Sequence, residues 1–81
     1  MFYVYLLKDG NKKIYIGYSR DLRRRISEHK NQKVFTTKKM FNLKLVYYEA
    51  YSSEELAKER EHKLKQFGSA HHGLLKRLKI L

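Results

Sequence analysis

The sequence predicts an α+β fold: a three-stranded, mostly antiparallel sheet packed by helices, in the order β-β-α-β-α-α. Three segments are rich in strand-forming residues, and three others carry apolar residues at helical spacing. A glycine-containing turn separates the first two strands, which favours an antiparallel hairpin. With 81 residues and no proline, the chain is expected to form one domain, residues 1–81, with a small core.

The strands are predicted over residues 2–8, 13–17 and 43–51. The first reads FYVYLLK and is apolar on both faces, which predicts a strand covered on both sides. The hairpin signal DGN follows it at residues 9–11. The third strand, LKLVYYEAY, comes after an irregular basic stretch, residues 31–42.

The apolar pattern leaves the hairpin register open, because a shift of one residue exchanges the two faces of a strand. A two-residue turn would pair Lys8 with Asn11, and residue propensities slightly favour it. A three-residue loop would pair Lys8 with Lys12 and set Tyr5 opposite Tyr15. We adopt the three-residue loop on the strength of a family resemblance described below.

The first helix is predicted over residues 21–30, with Ser19 or Asp21 as its N-cap. Leu22 and Ile26 define its apolar face. The helix is strongly basic elsewhere, which is typical of a surface that meets an anionic partner.

Arg25 and His29 are four residues apart and lie at the border of that apolar face. An arginine there is costly to desolvate unless an anion meets it. It either extends to solvent, pairs with Glu28, Glu49 or Glu61, or binds an anionic ligand. By itself, a histidine in this position is more often a hydrogen-bonded core residue than a catalyst.

The second helix is predicted to open with Ser52 and Glu55 at capping-box spacing and to stop at Gly68. Arg60 falls within its apolar arc and needs a carboxylate partner that the pattern does not identify. A short last helix is predicted over residues 73–80. The apolar residues are Leu56, Ala57, Leu64 and Phe67 in the second helix, and Leu74, Leu75, Leu78 and Leu81 in the last.

The net charge of +11, from 19 Lys and Arg against eight Asp and Glu, indicates a polyanionic partner, with nucleic acid as the first choice. The chain has no cysteine, which excludes disulfides and thiolate metal sites and is typical of a cytoplasmic protein. No apolar run is long enough to cross a bilayer, and we expect no membrane partner.

Two short motifs point to a family. YVY at residues 3–5 and YIG at 15–17 resemble the two-part signature of the GIY-YIG nucleases. DLRRRISEH resembles that family's arginine-bearing helix, and LVYYEAYSSEELAKEREHKLK resembles its third strand and glutamate-bearing helix. The resemblance covers nearly the whole chain and is greatest to the small stand-alone, UvrC-like members, which consist of the catalytic domain alone.

The resemblance implies a metal-dependent endonuclease that hydrolyses phosphodiester bonds, with DNA a more probable substrate than RNA and DNA repair a natural setting. Glu61 matches the metal-binding glutamate, which implies one Mg²⁺ or Mn²⁺. Tyr15 would act as general base toward water, and Tyr5 would orient it. Arg25 would bind the scissile phosphate, and His29 would accept the proton of Tyr15.

Further residues are expected to contact nucleic acid. Gly17 would allow a close approach of the substrate to Tyr15. The expected phosphate contacts are Arg20, Arg23, Arg24, Lys38, Lys39, Lys63 and Lys65. The sequence departs from the family pattern where Tyr3 replaces the first glycine, where Tyr18 replaces a lysine, and after the glutamate, where an asparagine-bearing segment has no counterpart.

Two other functions remain open at this level. One is a catalytically inactive DNA- or RNA-binding module, and the other is a protein-interaction subunit whose basic surface meets an acidic partner. No separate targeting domain is visible, so an active enzyme is expected to be structure-selective or weakly sequence-specific. A homodimer or a protein partner would be needed for tighter specificity.

Overall fold

The computed structural model describes residues 1–34 and 37–80. Its elements are β1 (Phe2–Lys8), β2 (Ile14–Ser19), α1 (Leu22–Lys30), β3 (Lys44–Tyr51), α2 (Glu54–Lys65) and α3 (Ser69–Arg77). The strands form one sheet in the order β2-β1-β3, and both pairings are antiparallel. The expected α+β class and element order are confirmed. No helix in the described ranges is long and apolar enough to span a membrane.

The β1–β2 loop is longer than predicted, because Lys8 pairs with Ile14 and not with Lys12. The buried Asp9 carboxylate accepts hydrogen bonds from two amides of this loop, at 2.9 and 2.8 Å. Lys12 adopts a left-handed backbone, φ 65°, within it. These side-chain contacts stabilise a loop over residues 9–13, which the DGN signal did not reveal.

The register nevertheless keeps the two phenols together. Tyr15 lies opposite Leu7, and Tyr5 lies opposite Gly17. The loop exceeds the predicted three-residue loop by an even number of residues, so every side chain stays on its expected face although the pairing shifts.

Strand β1 is buried on both faces, as its composition predicts. One face packs against α2 and α3 through Val4, Leu6, Ile16, Ala57, Leu64, Leu74 and Leu75. The opposite face packs against α1 and the residues before β3 through Tyr5, Leu7, Leu22, Ile26, Met40, Leu43 and Leu45. A bulge in the β1–β3 pairing sets Leu45 opposite Leu7 and Tyr48 opposite Tyr5, on this second face.

The ends of the later helices differ from the prediction. Ser53, not Ser52, caps α2 by accepting from the Leu56 amide at 3.3 Å. After α2 the left-handed residue is Phe67, φ 55°, and Gly68 instead precedes α3, which therefore begins at Ser69 and not near residue 73. Asp21 caps α1, as one of the two predicted options.

The apolar face of α2 is narrower than predicted. Ala57 and Leu64 are fully buried, whereas Leu56 and Phe67 are 53% and 66% exposed. Helix α3 begins directly after Gly68 and shares a core cluster with α2, in which Leu74 and Leu75 join Ala57 and Leu64. Leu81, expected on the apolar side of the last helix, lies outside the described residues.

The partner that Arg60 requires is Glu49. The guanidinium donates to both carboxylate oxygens, at 2.9 and 3.1 Å, and the hydroxyls of Tyr47 and Tyr51 each donate at 2.6 Å. Burial alone would raise the pKa of Glu49, but these hydrogen bonds outweigh it and hold the pKa below its usual range. The cluster ties β3 to α2.

Replacing Glu49 with alanine should therefore destabilise the protein by about 2–4 kcal/mol, because Arg60 and two tyrosine hydroxyls lose their acceptor. Glu59→Ala is the matched control, since it removes an exposed pair with Lys63 and should cost at most about 0.5 kcal/mol. Urea unfolding of both variants measures the difference. Equal losses would contradict a structural role for the cluster.

Candidate active site

Two tyrosines and a histidine gather on the α1-covered face of the sheet. The ring centroids of Tyr5 and Tyr15 are 6.3 Å apart. The ring of His29 lies edge-on to both, at 5.7 Å from Tyr5 and 4.8 Å from Tyr15. Strands β1 and β2 and helix α1 thus each supply one ring, as the family resemblance implies.

Gly17 makes room for Tyr5. A Cβ atom at residue 17 would lie 2.4 Å from both Cζ and Oη of the Tyr5 ring, which no packed structure tolerates. Gly17 is itself buried. The prediction that Gly17 lets substrate approach Tyr15 is therefore replaced: the space beside this glycine is filled by the neighbouring phenol of the same site.

A buried chain of hydrogen bonds begins at Tyr5. The Tyr5 hydroxyl lies 2.7 Å from His29 Nε2, and His29 Nδ1 lies 2.7 Å from Thr37 Oγ1. The Thr37 hydroxyl donates to the carbonyl of Val34 at 3.4 Å. Because the Thr37 hydroxyl already donates its proton to Val34, it accepts a hydrogen bond from the Nδ1–H group of His29. The Nε2 atom of His29 therefore accepts the hydrogen bond from the Tyr5 hydroxyl.

The chain consists of neutral groups. Burial, followed by the positive charge of Arg25, lowers the pKa of His29 to about 4. Burial, followed by the Tyr15 phenol, raises the pKa of Tyr5. Both ring nitrogens of His29 are occupied, so the geometry gives His29 the role of positioning Tyr5 and not the predicted one of accepting the proton of Tyr15.

Arg25 lies beside the phenols. Its Nη1 atom donates to Glu28 at 3.1 Å, one of the three partners considered from the sequence. The hydrogen bond from Arg25 to Glu28 raises the pKa of Arg25; burial opposes this, and the nearby Tyr5 and Tyr15 phenols reinforce it. The side chain is 37% exposed, so its remaining donors can meet a ligand at the surface.

Glu61 projects from α2 with its side chain 22% exposed, and one oxygen lies 3.2 Å from Lys65 Nζ. Its charge contributes to the raised pKa values of Tyr5 and Tyr18, although α2 itself packs against the sheet face opposite the one that carries Tyr5 and Tyr15. In the chain as described, it makes no hydrogen bond to Tyr5 or Tyr15.

The donor set at Glu61 fits one hydrated hard cation. Residues 1–34 and 37–80 contain no group of three or more His, Asp or Glu side chains arranged to hold a metal. A single carboxylate, with water and a substrate phosphate completing the shell, is the arrangement that suits Mg²⁺ or Mn²⁺. Lys65, predicted to bind phosphate, is engaged with this carboxylate.

The contacts of Tyr18 and Arg20 with Glu54, next to the YIG segment, were not predicted from the sequence. The Tyr18 hydroxyl donates to Glu54, and Arg20 lies 3.9 Å from the same carboxylate and 5.2 Å from the Phe2 ring centroid. Burial and the Glu54 hydrogen bond raise the pKa of Tyr18. The tyrosine that replaces the family lysine therefore links β2 to the start of α2.

The remaining predicted phosphate contacts lie on α1, on α2 and in the turn after Thr37. Arg23 and Arg24 are exposed on α1, and Lys38 and Lys39 are exposed in the turn after Thr37. Lys63 is paired with Glu59 at 3.4 Å. Thr36, part of the basic stretch considered in the sequence, lies outside the described residues.

Gly17→Ala tests the packing of Tyr5. The added methyl group should displace the phenol and destabilise the protein by about 1–3 kcal/mol. Gly73→Ala is the control, because nothing lies within 4 Å of its Cβ and alanine should stabilise helix α3 by up to about 1 kcal/mol. Thermal unfolding compares the two. If Gly17→Ala leaves the thermal stability unchanged, the packing of Tyr5 does not require a glycine at residue 17.

The His29 ring should stay in the Nδ1–H form until the pH approaches about 4. As the pH falls below about 6.5, His29 takes up a proton in the unfolded chain but not in the folded one. The free energy of unfolding therefore decreases by about 2 kcal/mol between pH 7 and pH 5. Long-range ¹H–¹⁵N correlation spectra of the ring report both tautomer and midpoint. A midpoint near the ordinary value would contradict the buried relay.

Comparison with known proteins identifies the family of the chain. The model of the GIY-YIG catalytic domain matches residues 1–72. A UPF0213 protein of Staphylococcus saprophyticus is 35% identical over 66 residues, covering 80% of each chain, and one of Haloquadratum walsbyi is 30% identical, covering 80% of this chain and 74% of the relative. The solution NMR structure of the UPF0213 protein BH0048 from Bacillus halodurans is 32% identical, with a TM-score of 0.60 over 98% of this chain and 86% of that one. The chain belongs to the GIY-YIG family.

Proposed function

We propose that this protein is a metal-dependent endonuclease that hydrolyses phosphodiester bonds of DNA in preference to RNA, with structure-selective or weak sequence specificity. The observation that carries the proposal is the arrangement of Tyr5, Tyr15 and Arg25 on one sheet face in a member of a nuclease family. The net charge of +11 favours a polyanionic substrate.

Each residue has a role that follows from its surroundings. Arg25 keeps donors available beside the phenols and would bind the scissile phosphate. Tyr15, the less buried phenol, would activate the attacking water. Tyr5 is fully buried and donates to His29, so it would shape and orient the site around Tyr15.

Glu61 would hold the divalent cation. When bound, a Mg²⁺ or Mn²⁺ ion supplies Lewis-acid stabilisation of charge on phosphate oxygens. The ion pair with Lys65 compensates the negative charge of the Glu61 carboxylate. We further propose a cytoplasmic protein acting in DNA repair, with a homodimer or a protein partner as the source of any tighter specificity.

Tyr15→Phe and Glu61→Ala should each lower Mg²⁺- or Mn²⁺-dependent nicking by at least about 100-fold, because they remove the general base and the cation ligand. Tyr51→Phe and Glu59→Ala are the matched controls, since they remove a phenol hydroxyl and a lysine-paired carboxylate elsewhere. The assay uses supercoiled plasmid and a panel of flaps, forks, loops, single strands and RNA.

Circular dichroism establishes that all four variants are folded. Full activity in Tyr15→Phe and Glu61→Ala would rule out this mechanism. If the unaltered protein cleaves nothing with either metal yet binds nucleic acid in a salt-sensitive manner, the chain is an inactive binding module.

A further inference from the structure

A groove of about 530 Å³ lies on the α1-covered face of the sheet, apart from the phenol cluster. Its apolar lining comes from Leu22, Ile26 and Leu45, and Tyr3 and Tyr48 add two aromatic rings. This volume is within the range of about 300–1,000 Å³ that is usual for small-molecule sites.

The two tyrosines form an exposed aromatic surface. Their ring centroids are 6.0 Å apart at an interplanar angle of 62°, and Tyr48 is 52% exposed. The bulge in the β1–β3 pairing places Leu45 and Tyr48 on the same face. Five of the other tyrosines are packed or hydrogen-bonded, whereas Tyr48 presents a ring to solvent with no hydroxyl partner among the described residues.

The rim of the groove is basic. Arg20 and Arg23 both line it, and within the described ranges Arg23 has no carboxylate within 4 Å. Among the described residues that line the groove, Asp21 is the one acid, and its carboxylate is engaged as the cap of α1 through the Arg24 amide. Aromatic faces beside a free guanidinium are the combination that binds a nucleobase and its phosphate.

Helix α1 separates this groove from the phenol cluster. Leu22, Arg23 and Ile26 line the groove, whereas Arg25 and His29 lie with the phenols on the other flank, as the helical spacing requires. A helix with its side chains is about 10–12 Å across, so a single strand crossing α1 would connect the two sites within a few nucleotides.

We propose that the groove formed by Tyr3, Tyr48 and Arg23 binds one unpaired base of a single-stranded segment, a few nucleotides from the phosphate at the phenol cluster. Paired bases in a duplex are stacked on each other and do not offer a face to a tyrosine. The groove therefore selects substrates that carry a single strand next to the cleavage point. This inference rests on the proposed function in taking nucleic acid as the ligand.

The test measures binding of a fluorescein-labelled single-stranded oligonucleotide by anisotropy in EDTA. Tyr48→Ala should weaken binding by about 5- to 100-fold, the loss typical for one stacked base. Tyr48→Phe, which keeps the ring, should bind within about threefold of the unaltered protein. Phe67→Ala, which removes an exposed aromatic ring elsewhere, should bind as the unaltered protein does. Affinity for a blunt duplex should be unchanged in all three.

A second ligand series does not depend on the stability of any variant. Replacing successive bases of the oligonucleotide with abasic nucleotides keeps every phosphate, and one position should reproduce the loss seen in Tyr48→Ala. That variant should be insensitive to the same abasic position. Equal affinity of Tyr48→Ala and the unaltered protein, or an equal loss for single strand and duplex, would overturn the inference.

Sedimentation of the free protein tests the alternative that a second copy of the chain occupies the groove. If Tyr48→Ala converts an oligomer to a monomer, the groove is a self-association surface and the inference is wrong. Because binding is measured without a divalent cation, a protein that binds as expected but cleaves nothing contradicts only the nuclease proposal. A protein that cleaves normally but binds independently of Tyr48 contradicts only the inference.

Discussion

The site depends on the position of one side chain, the Tyr5 phenol. Its ring fills the space that Gly17 leaves on the neighbouring strand, and its hydroxyl hydrogen-bonds to His29. Through His29 the same chain reaches Thr37, in the segment before β3. One phenol therefore connects β1, β2, α1 and the α1–β3 segment, and each of these elements carries part of the proposed site.

Charge is arranged around that phenol in layers. The innermost groups, Tyr5 and His29, are buried and neutral, because the interior penalises either charged form. Arg25 and Glu61 lie further out, each already compensated by one opposite charge, Glu28 or Lys65. A small protein with a large positive charge can tolerate such a site because its cations stay at the surface, where a polyanion can meet them.

The seven tyrosines of the chain show how little residue type says about role. Tyr47 and Tyr51 satisfy a carboxylate that also binds Arg60, and Tyr18 satisfies Glu54. Tyr5 is fully buried, whereas Tyr48, directly opposite it on the next strand, is half exposed. Leu22 and Ile26 of α1 pack in the core cluster that contains Tyr5, whereas Tyr48 lines the groove.

The sequence by itself determined the element order, the burial of β1 on both faces, the basic character of α1 and the family, because these follow from local composition and from motif spacing. That Tyr5 and Tyr15 share a face followed from the family resemblance and not from the apolar pattern, because a loop of even length would have placed them on opposite faces. The loop length itself, the use of Gly17 by Tyr5, the Glu49 partner of Arg60 and the Thr37 partner of His29 were decided only by the tertiary structure. The last three are contacts between residues brought together by packing, and no local pattern in a chain specifies which distant side chain will occupy a given space.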